Sequence, residues 1–239
     1  MNYALIFAGG VGSRMGSAIP KQFLKVDDKP IIIHVIEKFA YHPEIDGIVI
    51  VCKEEYIENC QKYIREYNVP KVMQILPGGN NGQGSIRNGL QYLVNHSNDT
   101  SKDIVLIHDG VRPLITEDLI TRSISCVKAN GNSIAVASAI ETVIIVDENG
   151  KIMDTVDRSR CRNAKAPQCF YLNDIWETHQ KAVSDGNLNM IDSATLMSLY
   201  GFELFTTDCS QENIKITTPN DYYMFKGIYE HMFDHNEEL

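Results

Sequence analysis

The sequence lacks the marks of a secreted, disulfide-stabilised or membrane-spanning protein. Its six cysteines lie far apart and include no CxxC pair, so no disulfide framework is indicated and a reducing compartment is expected. It has no run of about 18 or more apolar residues, and its first apolar run passes directly into a glycine loop without a basic leader. We therefore expect a cytoplasmic protein that begins at or near Met1 and has no membrane partner.

Basic residues are also scarce. Lysine and arginine total 22 against 31 aspartate and glutamate residues, which gives a formal net charge of -9. A nonspecific nucleic-acid binder needs a basic face to neutralise phosphates, so no nucleic-acid partner is expected. The basic residues that are present are concentrated in short motifs, and that pattern favours a local site for a small phosphorylated ligand.

Compact apolar runs alternate with helix-like stretches along the first half of the chain. The runs are bounded by Gly, Asp or Pro and are typical of buried parallel strands; they cover residues 3–8, 47–52, 104–108 and 134–139. The helix-like stretches have the length of crossover helices and cover residues 31–41, 54–67, 85–94 and 117–130. This order predicts an α/β fold with a doubly wound, mainly parallel Rossmann-like sheet, in a single domain over residues 1–239.

Residues 140–160 interrupt that order. Two β-rich runs, 142–146 and 151–156, are joined by Asp-Glu-Asn-Gly, and Asn-Gly between such runs is a strong hairpin signal. Since consecutive strands of a parallel sheet need a longer crossover, we expect this hairpin to project from the body as an arm. Beyond it the sequence predicts helices at 172–183, 193–199 and 219–233 and a strand near 203–206.

The strongest motif is the glycine loop after the first predicted strand. Gly9, Gly10 and Gly12 allow a sharp bend and let backbone N–H groups approach phosphate oxygens. Arg14 and Lys21 add two positive charges beside this loop, and positioned cations stabilise the charge of a phosphoryl-transfer transition state. A plain glycine turn with two surface cations is the alternative interpretation.

Two other glycine-loop classes do not fit this segment. A dinucleotide fingerprint starting at Gly10 requires glycine at position 15, where this chain has Met15. A Walker loop requires a G-K-[ST] element, which does not follow. A nicotinamide-dependent oxidoreductase is therefore disfavoured.

Four further positions carry polar groups at the ends of predicted elements. Ser85 lies near a helix N-terminus in a Gly-rich loop, Asp109 and Arg112 follow a central strand, and Asp192 precedes a helix. Ligands of open parallel sheets bind beyond the carboxyl ends of the strands, which suits Asp109 for phosphate, ribose or Mg²⁺. Each of these residues could instead be a cap or a turn former, with Arg112 a partner of Asp109. Lys215 lies in a predicted short alternating strand.

The glycine loop with the following Pro20-Lys21 closely resembles the cytidylyltransferase family that includes methylerythritol phosphate and ribitol-5-phosphate cytidylyltransferases. The resemblance runs from Tyr3 to about Tyr223. It implies that CTP, with Mg²⁺ on its phosphates, binds over the glycine loop, and that a second loop closes over cytosine and ribose. The residues implied in this nucleotide site are Phe7, Ala8, Gly9, Gly10, Gly12, Gly78, Gly79, Gly82, Gln83, Ser85 and Asp109, with Asp109 also in the metal region.

The resemblance also implies roles in catalysis and acceptor binding. Arg14 and Lys21 match the two residues credited with stabilising the pentacoordinate phosphorus. Lys215 matches a lysine that orients the attacking phosphate, and Asp192 a carboxylate that meets polyol hydroxyls. Family members are homodimers in which a β-arm reaches the neighbouring site, and the arm residues that match acceptor-phosphate ligands are Thr142 and Arg158.

We therefore expect an enzyme that joins CTP to a small polyol phosphate and releases pyrophosphate. Ribitol 5-phosphate is favoured by residues 8–10 and 216–219 and by Val111, whereas residues 155–159 look closer to methylerythritol 4-phosphate enzymes. Departures from the family pattern at Asn80, Gly82 and Ala166 suggest instead a noncatalytic nucleotide-binding module. The cations retained at the expected reaction centre argue against such a module: Arg14, Lys21, Arg158 and Lys215.

Overall fold

The computed structural model describes residues 1–9 and 19–234. The strands in these ranges are β1 (Asn2–Ala8), β2 (Lys25–Val26), β3 (Lys29–Pro30), β4 (Gly47–Cys52), β5 (Val72–Pro77), β6 (Ile104–Asp109), β7 (Asn132–Ser138), β8 (Val143–Val146), β9 (Ile152–Val156), β10 (Arg162–Tyr171) and β11 (Thr206–Asp208). The helices are α1 (Ile31–Ala40), α2 (Ile57–Glu66), α3 (Gly82–His96), α4 (Glu117–Asn130), α5 (Leu172–Ser184), α6 (Ser193–Leu199) and α7 (Pro219–Asp234).

Seven of these strands form the central sheet, in the order β11-β7-β10-β6-β1-β4-β5. Its pairs are parallel except that β10 runs antiparallel to both β6 and β7. The predicted α/β class with a doubly wound, mainly parallel sheet is confirmed. The carboxyl ends of β1, β4 and β6 lie side by side, since Phe7 is level with both Val51 and Asp109.

Helices cover both faces of the sheet because its central strands are apolar on both sides. Side chains of β1 alternate between the faces: Ala4 and Ile6 belong to the core beneath α1, α2 and α4, whereas Tyr3 and Leu5 belong to the core beneath α3, α5 and α6. A smaller apolar cluster around Phe225 joins α7 to the loop after β6. No helix in the described ranges is both long and apolar enough to cross a membrane.

The structure differs from the predicted elements at several places, both in their bounds and in which strands are present. Strand β5 was not predicted because it is an edge strand whose side chains are partly exposed, and β10 was missed because it begins with exposed polar residues and contains Pro167. Helix α3 begins at Gly82 rather than 85, since Asn81 caps it. The strand expected at 203–206 lies at Thr206–Asp208. Lys215 lies in an extended segment that pairs with no strand of the sheet.

The predicted arm is present. Strands β8 and β9 pair antiparallel with each other in a sheet of their own, and Val143 lies opposite Val156. At the turn, the Asp147 carboxylate accepts hydrogen bonds from the backbone N–H groups of Asn149 and Lys151, each at 2.9 Å. Gly150 has a φ of 82°, the left-handed conformation that the Asn-Gly signal anticipates.

A pair of glycine substitutions tests how tightly α3 packs on the sheet. A Cβ added at Gly89 would overlap Leu5 Cδ1 and lie 3.1 Å from Val51 Cγ2, and both neighbours are fully buried. Gly89→Ala should lower the free energy of unfolding by about 1–3 kcal/mol, the usual cost of overpacking a core. At exposed Gly227 in α7 an added Cβ meets nothing within 4 Å. Gly227→Ala should therefore raise the free energy of unfolding by up to about 1 kcal/mol, because alanine has the higher helix propensity.

Urea unfolding of the two variants measures both effects. Equal changes of the same sign would contradict the close approach of α3 to β1 and β4.

Candidate active site

Two adjoining cavities lie beyond the carboxyl ends of β1, β4 and β6. The first, which we call the glycine cavity, has a volume of about 590 Å³ and is lined by glycine-rich backbone from two loops together with Lys21. The second, which we call the helix cavity, has a volume of about 410 Å³ and lies among α3, α5, α6 and β10. Both are lined by Phe7, Gly82, Asp109 and Lys215, so these residues form the boundary between the two cavities.

Asp109 is the last residue of β6 and is buried at this boundary. Its Oδ1 lies 2.6 Å from Lys215 Nζ, and its Oδ2 lies 3.3 Å from Arg112 Nε. Burial raises the pKa of the Asp109 carboxyl, but the charges of Lys215 and Arg112 outweigh burial and hold that pKa below its ordinary value. The group is therefore a carboxylate at neutral pH, and the predicted Asp109–Arg112 contact is present.

The segment 213–218 brings the Lys215 ammonium to Asp109 and supplies a backbone carbonyl that accepts a hydrogen bond from Lys21. The Ile216 N–H donates to the Val111 carbonyl at 2.9 Å and thereby fixes the segment against the loop after β6. The Ile216 carbonyl accepts a hydrogen bond of 2.9 Å from Lys21 Nζ, which is buried. Lys215 Nζ also lies 6.0 Å from the centre of the Phe7 ring. This segment thus brings two predicted catalytic lysines to one site: Lys215 belongs to it, and Lys21 bonds to the carbonyl of the next residue, Ile216.

The nucleotide residues predicted from the resemblance divide between the two cavities. The glycine cavity is lined by Phe7, Ala8, Gly9, Gly78, Gly79, Gly82, Ser85 and Asp109. Gln83 lies instead in the helix cavity, where its amide donates to the Asn187 carbonyl at 2.8 Å and accepts from the Met190 N–H at 2.9 Å. Gly10, Gly12 and Arg14 lie outside the described residues.

Ser85 and Asn81 shape the wall of the glycine cavity. Ser85 Oγ accepts from the Gly79 N–H at 3.1 Å and donates to the Asn81 carbonyl at 2.9 Å. A side chain at Gly78 would meet Ser85 Oγ at 3.1 Å and the Cys52 carbonyl at 3.4 Å, so glycine lets the loop lie directly on this hydroxyl. Asn81 caps α3 by accepting from the Gly84 N–H at 2.8 Å. The sequence analysis did not identify Asn81.

In the helix cavity, Asp192 performs the capping role that was one of its two predicted interpretations. Its Oδ1 accepts from the Thr195 N–H at 2.8 Å, and its Oδ2 accepts from Gln168 Nε2 at 3.0 Å. Gln168 in turn accepts from the Ala194 N–H at 2.9 Å. Lys165, which the sequence analysis missed, also lines this cavity and donates to the Gln211 carbonyl at 2.8 Å.

Two buried histidines lie near the cavities. His108 is fully buried beside Asp109, and one ring nitrogen lies 3.0 Å from the Arg112 carbonyl, so it is a packed residue at the end of β6. His179 lines the helix cavity from α5 and is 1% exposed. Burial lowers the pKa of each imidazole to about 4, with the Arg87 charge contributing at His179. Both rings are therefore neutral at physiological pH.

Thr142 and Arg158 do not reach either cavity of their own chain. Thr142 is exposed on the arm. Arg158 Nη1 donates to the Ile140 carbonyl at 2.8 Å, and Arg158 lines a separate depression at the base of the arm with Asp157 and Arg162.

The described residues offer few donors for a metal ion. No group of three or more His, Cys, Asp or Glu side chains that could hold a metal lies within residues 1–9 and 19–234. Mg²⁺ commonly uses one or two carboxylates and completes its shell with water and substrate phosphates. Asp109, the carboxylate at the boundary of the two cavities, fits that sparse donor set.

Comparison with known proteins shows the family of the chain. The family described as IspD, 2-C-methyl-D-erythritol 4-phosphate cytidylyltransferase, matches residues 3–230. This chain belongs to that family. It is therefore a nucleotidyltransferase of the CTP-dependent class, and the noncatalytic alternative does not hold.

Relatives within the family differ in the acceptor that their names state. A ribitol-5-phosphate cytidylyltransferase of Vibrio parahaemolyticus is 46% identical over 95% of both chains, and one of Streptococcus agalactiae is 46% identical over 96% of both. A 2-C-methyl-D-erythritol 4-phosphate cytidylyltransferase of Clostridium botulinum is 39% identical over 96% of this chain and 97% of its own.

Solved structures agree in fold. The 4-diphosphocytidyl-2C-methyl-D-erythritol synthase of Anaerococcus prevotii superposes with a TM-score of 0.82 at 23% identity, over 96% of both chains. The Francisella tularensis 2-C-methyl-D-erythritol 4-phosphate cytidylyltransferase superposes with a TM-score of 0.78 at 26% identity, over 95% of this chain and 98% of its own.

The two neutral histidines predict an acid-sensitive stability. Between pH 6.5 and about 4 the unfolded chain takes up protons on these imidazoles while the folded chain does not, so the free energy of unfolding should fall as pH falls through this window. Urea unfolding at several pH values measures the slope. His179→Leu should reduce the slope, whereas Thr178→Ala, at the neighbouring buried position of α5, should leave it unchanged. Equal slopes in the wild type and both variants would show that His179 takes up its proton over the same pH range in the folded and unfolded chains.

Proposed function

We propose that the chain transfers the cytidylyl group of CTP to ribitol 5-phosphate, forming CDP-ribitol and pyrophosphate. The observation that carries the proposal is the pair of adjoining cavities with Asp109 and Lys215 at their boundary. One cavity has the glycine-rich walls that suit a triphosphate, and the other has the polar side chains that suit hydroxyl groups. The identities to the ribitol enzymes of Vibrio parahaemolyticus and Streptococcus agalactiae, 46% against 39% for the methylerythritol enzyme of Clostridium botulinum, favour ribitol 5-phosphate as the acceptor.

The reaction needs positioned charges more than proton transfer. An oxygen of the acceptor phosphate attacks the α-phosphorus of CTP in line, a new P–O bond forms, and pyrophosphate leaves with the electron pair of the bond that breaks. Lys21 and Arg14 stabilise the charge on the pentacoordinate phosphorus, and Lys215 orients the attacking phosphate. A phosphate dianion is already a nucleophile, so no general base is required, and the neutral, buried His108 has no part in proton transfer.

Mg²⁺ belongs to this proposal as a partner of the nucleotide. Asp109 would hold it together with phosphate oxygens. When bound, the ion supplies neutralisation of the triphosphate charge. The side chains of the chain then bind and align the reactants: Lys215 pairs with Asp109 in the free site and is placed to pair with the acceptor phosphate in the loaded one.

A homodimer joined through the arm completes the proposed site. The arm exposes a row of apolar side chains that a protein surface would cover: Ile144, Ile145, Val146, Ile152 and Met153 are each 45% to 61% exposed. Arg158 and Thr142 line neither the helix cavity nor the glycine cavity of their own chain. In an arm-exchanged dimer they would bind the acceptor phosphate in the partner's site.

2-C-Methyl-D-erythritol 4-phosphate is the second candidate acceptor, favoured by residues 155–159 and by the 39% identical relative. The acceptor also determines the pathway, which would be cell-wall or capsule biosynthesis for ribitol 5-phosphate and isoprenoid biosynthesis for methylerythritol 4-phosphate. A cytoplasmic location remains part of the proposal in either case.

An acceptor panel tests the proposed function. Pyrophosphate release should be greatest with CTP and ribitol 5-phosphate, lower with methylerythritol 4-phosphate, and small with ATP or GTP, since the resemblance implies that the loop at Ser85 closes over cytosine. The measurement is kcat/KM for each pair at saturating partner substrate. Higher kcat/KM with methylerythritol 4-phosphate would replace the proposed acceptor, and equal turnover with purine nucleotides would contradict the placement of the base.

Mixed dimers test whether Arg158 acts in the partner's site. Lys21→Ala should lower kcat by at least about 100-fold, the scale for one preorganised contact to a transition state. Arg158→Ala should weaken acceptor binding by about 1.5–3 kcal/mol, the range for a charged hydrogen bond, and should leave CTP binding nearly unchanged. When the two variants are refolded together, each heterodimer should have one site with both residues intact.

Activity of the mixture is therefore expected to exceed that of either variant refolded alone. Native mass measurement provides the control, because it shows that heterodimers have formed. Heterodimers without recovered activity would mean that Arg158 acts within its own chain or has no role.

A further inference from the structure

His179 is a polar residue on the apolar face of α5. Positions 172, 175 and 182 of this helix are buried apolar residues of the core, and position 179 continues their helical spacing. Its side chain is 1% exposed, and neither ring nitrogen has a hydrogen-bond partner among residues 1–9 and 19–234. Buried polar atoms nearly always have a partner, so this imidazole requires an explanation.

The imidazole has unused capacity to bind a neutral polar group. Burial and the nearby Arg87 charge keep it neutral, so it offers one N–H donor and one nitrogen acceptor. Leaving a buried polar group without a partner is destabilising. A hydroxyl group can accept from one nitrogen or donate to the other, whereas a phosphate offers charge that a neutral ring does not balance.

The position of His179 defines how far such a group must reach. The helix cavity shares Asp109 and Lys215 with the glycine cavity and shares Gln83 and His179 with a further cavity of about 430 Å³. His179 does not line the glycine cavity, so it belongs to the part of the helix cavity wall that is not shared with the expected phosphate site. Asp192 and Gln168 also line this cavity, and they bond to each other at 3.0 Å and to backbone N–H groups, whereas the His179 ring nitrogens have no partner among the described residues.

We propose that His179 is a specificity-determining residue whose imidazole binds the terminal hydroxyl of the polyol acceptor, the hydroxyl farthest from the phosphate. This inference rests on the proposed function, which places the acceptor phosphate at Lys215. Ribitol 5-phosphate carries one more chain carbon and one more hydroxyl than a four-carbon polyol phosphate. The longer acceptor satisfies the imidazole and the shorter one leaves it without a partner, so His179 selects for chain length.

Acceptor pairs that differ by this one unit test the proposal. The kcat/KM values for ribitol 5-phosphate and erythritol 4-phosphate are compared in the wild type, His179→Leu, His179→Gln and Ser123→Ala. His179→Leu should lower the preference for ribitol 5-phosphate about 10-fold, the scale of one hydrogen bond. KM for CTP should not change. His179→Gln, which keeps a donor and an acceptor, should restore part of the preference.

Ser123→Ala is the matched control, since Ser123 is a buried polar residue of α4 that lines none of these cavities. It should leave the preference unchanged. An unchanged preference in His179→Leu would overturn the proposal and would mean that water or the core alone surrounds the imidazole. Equal losses for both acceptors would also overturn it, because they would report a packing defect.

A binding measurement separates this inference from the proposed function and does not depend on the variants folding. Ring-nitrogen NMR signals of His179 in the wild-type enzyme, recorded with CTP, should shift on addition of ribitol 5-phosphate and not of erythritol 4-phosphate. If ribitol 5-phosphate supports no turnover, the proposed function fails. The His179 site then stands if its signals still respond to the longer polyol phosphate, and falls if they do not.

Discussion

The ion pair between Asp109 and Lys215 connects the two halves of the site. Asp109 ends the central strand β6, whereas Lys215 arrives on an extended segment more than a hundred residues later, and their atoms lie 2.6 Å apart. The same segment accepts a hydrogen bond from buried Lys21 and another from Arg112. A buried carboxylate is costly to desolvate, so Asp109 requires these cations, and the cations in turn require Asp109. Their mutual dependence holds the phosphate-binding charges in place before a substrate arrives.

This arrangement explains why the site is strongly polar in a chain of net negative charge. The acidic excess lies elsewhere on the molecule: Arg112 and Lys215 pair with the Asp109 carboxylate, and Lys21 bonds to the Ile216 carbonyl beside them. Each cation is held by a backbone carbonyl or by Asp109, so little rotamer entropy remains to be lost on binding. Fixed charges of this kind lower a barrier to phosphoryl transfer because they need no reorganisation during the reaction.

The sequence was informative where local rules determine the structure. Helix α4 was predicted to the residue, because Thr116 caps it and Gly131 ends it in a left-handed conformation, and the arm followed from its Asn-Gly turn. Prediction failed where distant residues decide. Strand β10 runs antiparallel between two strands of a parallel sheet, and no local pattern encodes that neighbourhood. The apolar spacing of α5 could have singled out His179, but the cavity it faces is assembled from four separate segments of the chain.

The proposed acceptor site therefore depends on side chains brought together by long-range packing more than the proposed nucleotide site does. Glycine loops carry their function in the backbone, and their motif survives in any sequence that keeps the glycines. The helix cavity is instead lined by side chains of α3, α5, α6 and β10, and the loop above it is held by Gln83 through the backbone of Asn187 and Met190. Small changes among these elements alter which hydroxyls are satisfied without touching the phosphate chemistry. One fold can thus keep a common reaction centre while its relatives differ in the polyol phosphate that they use.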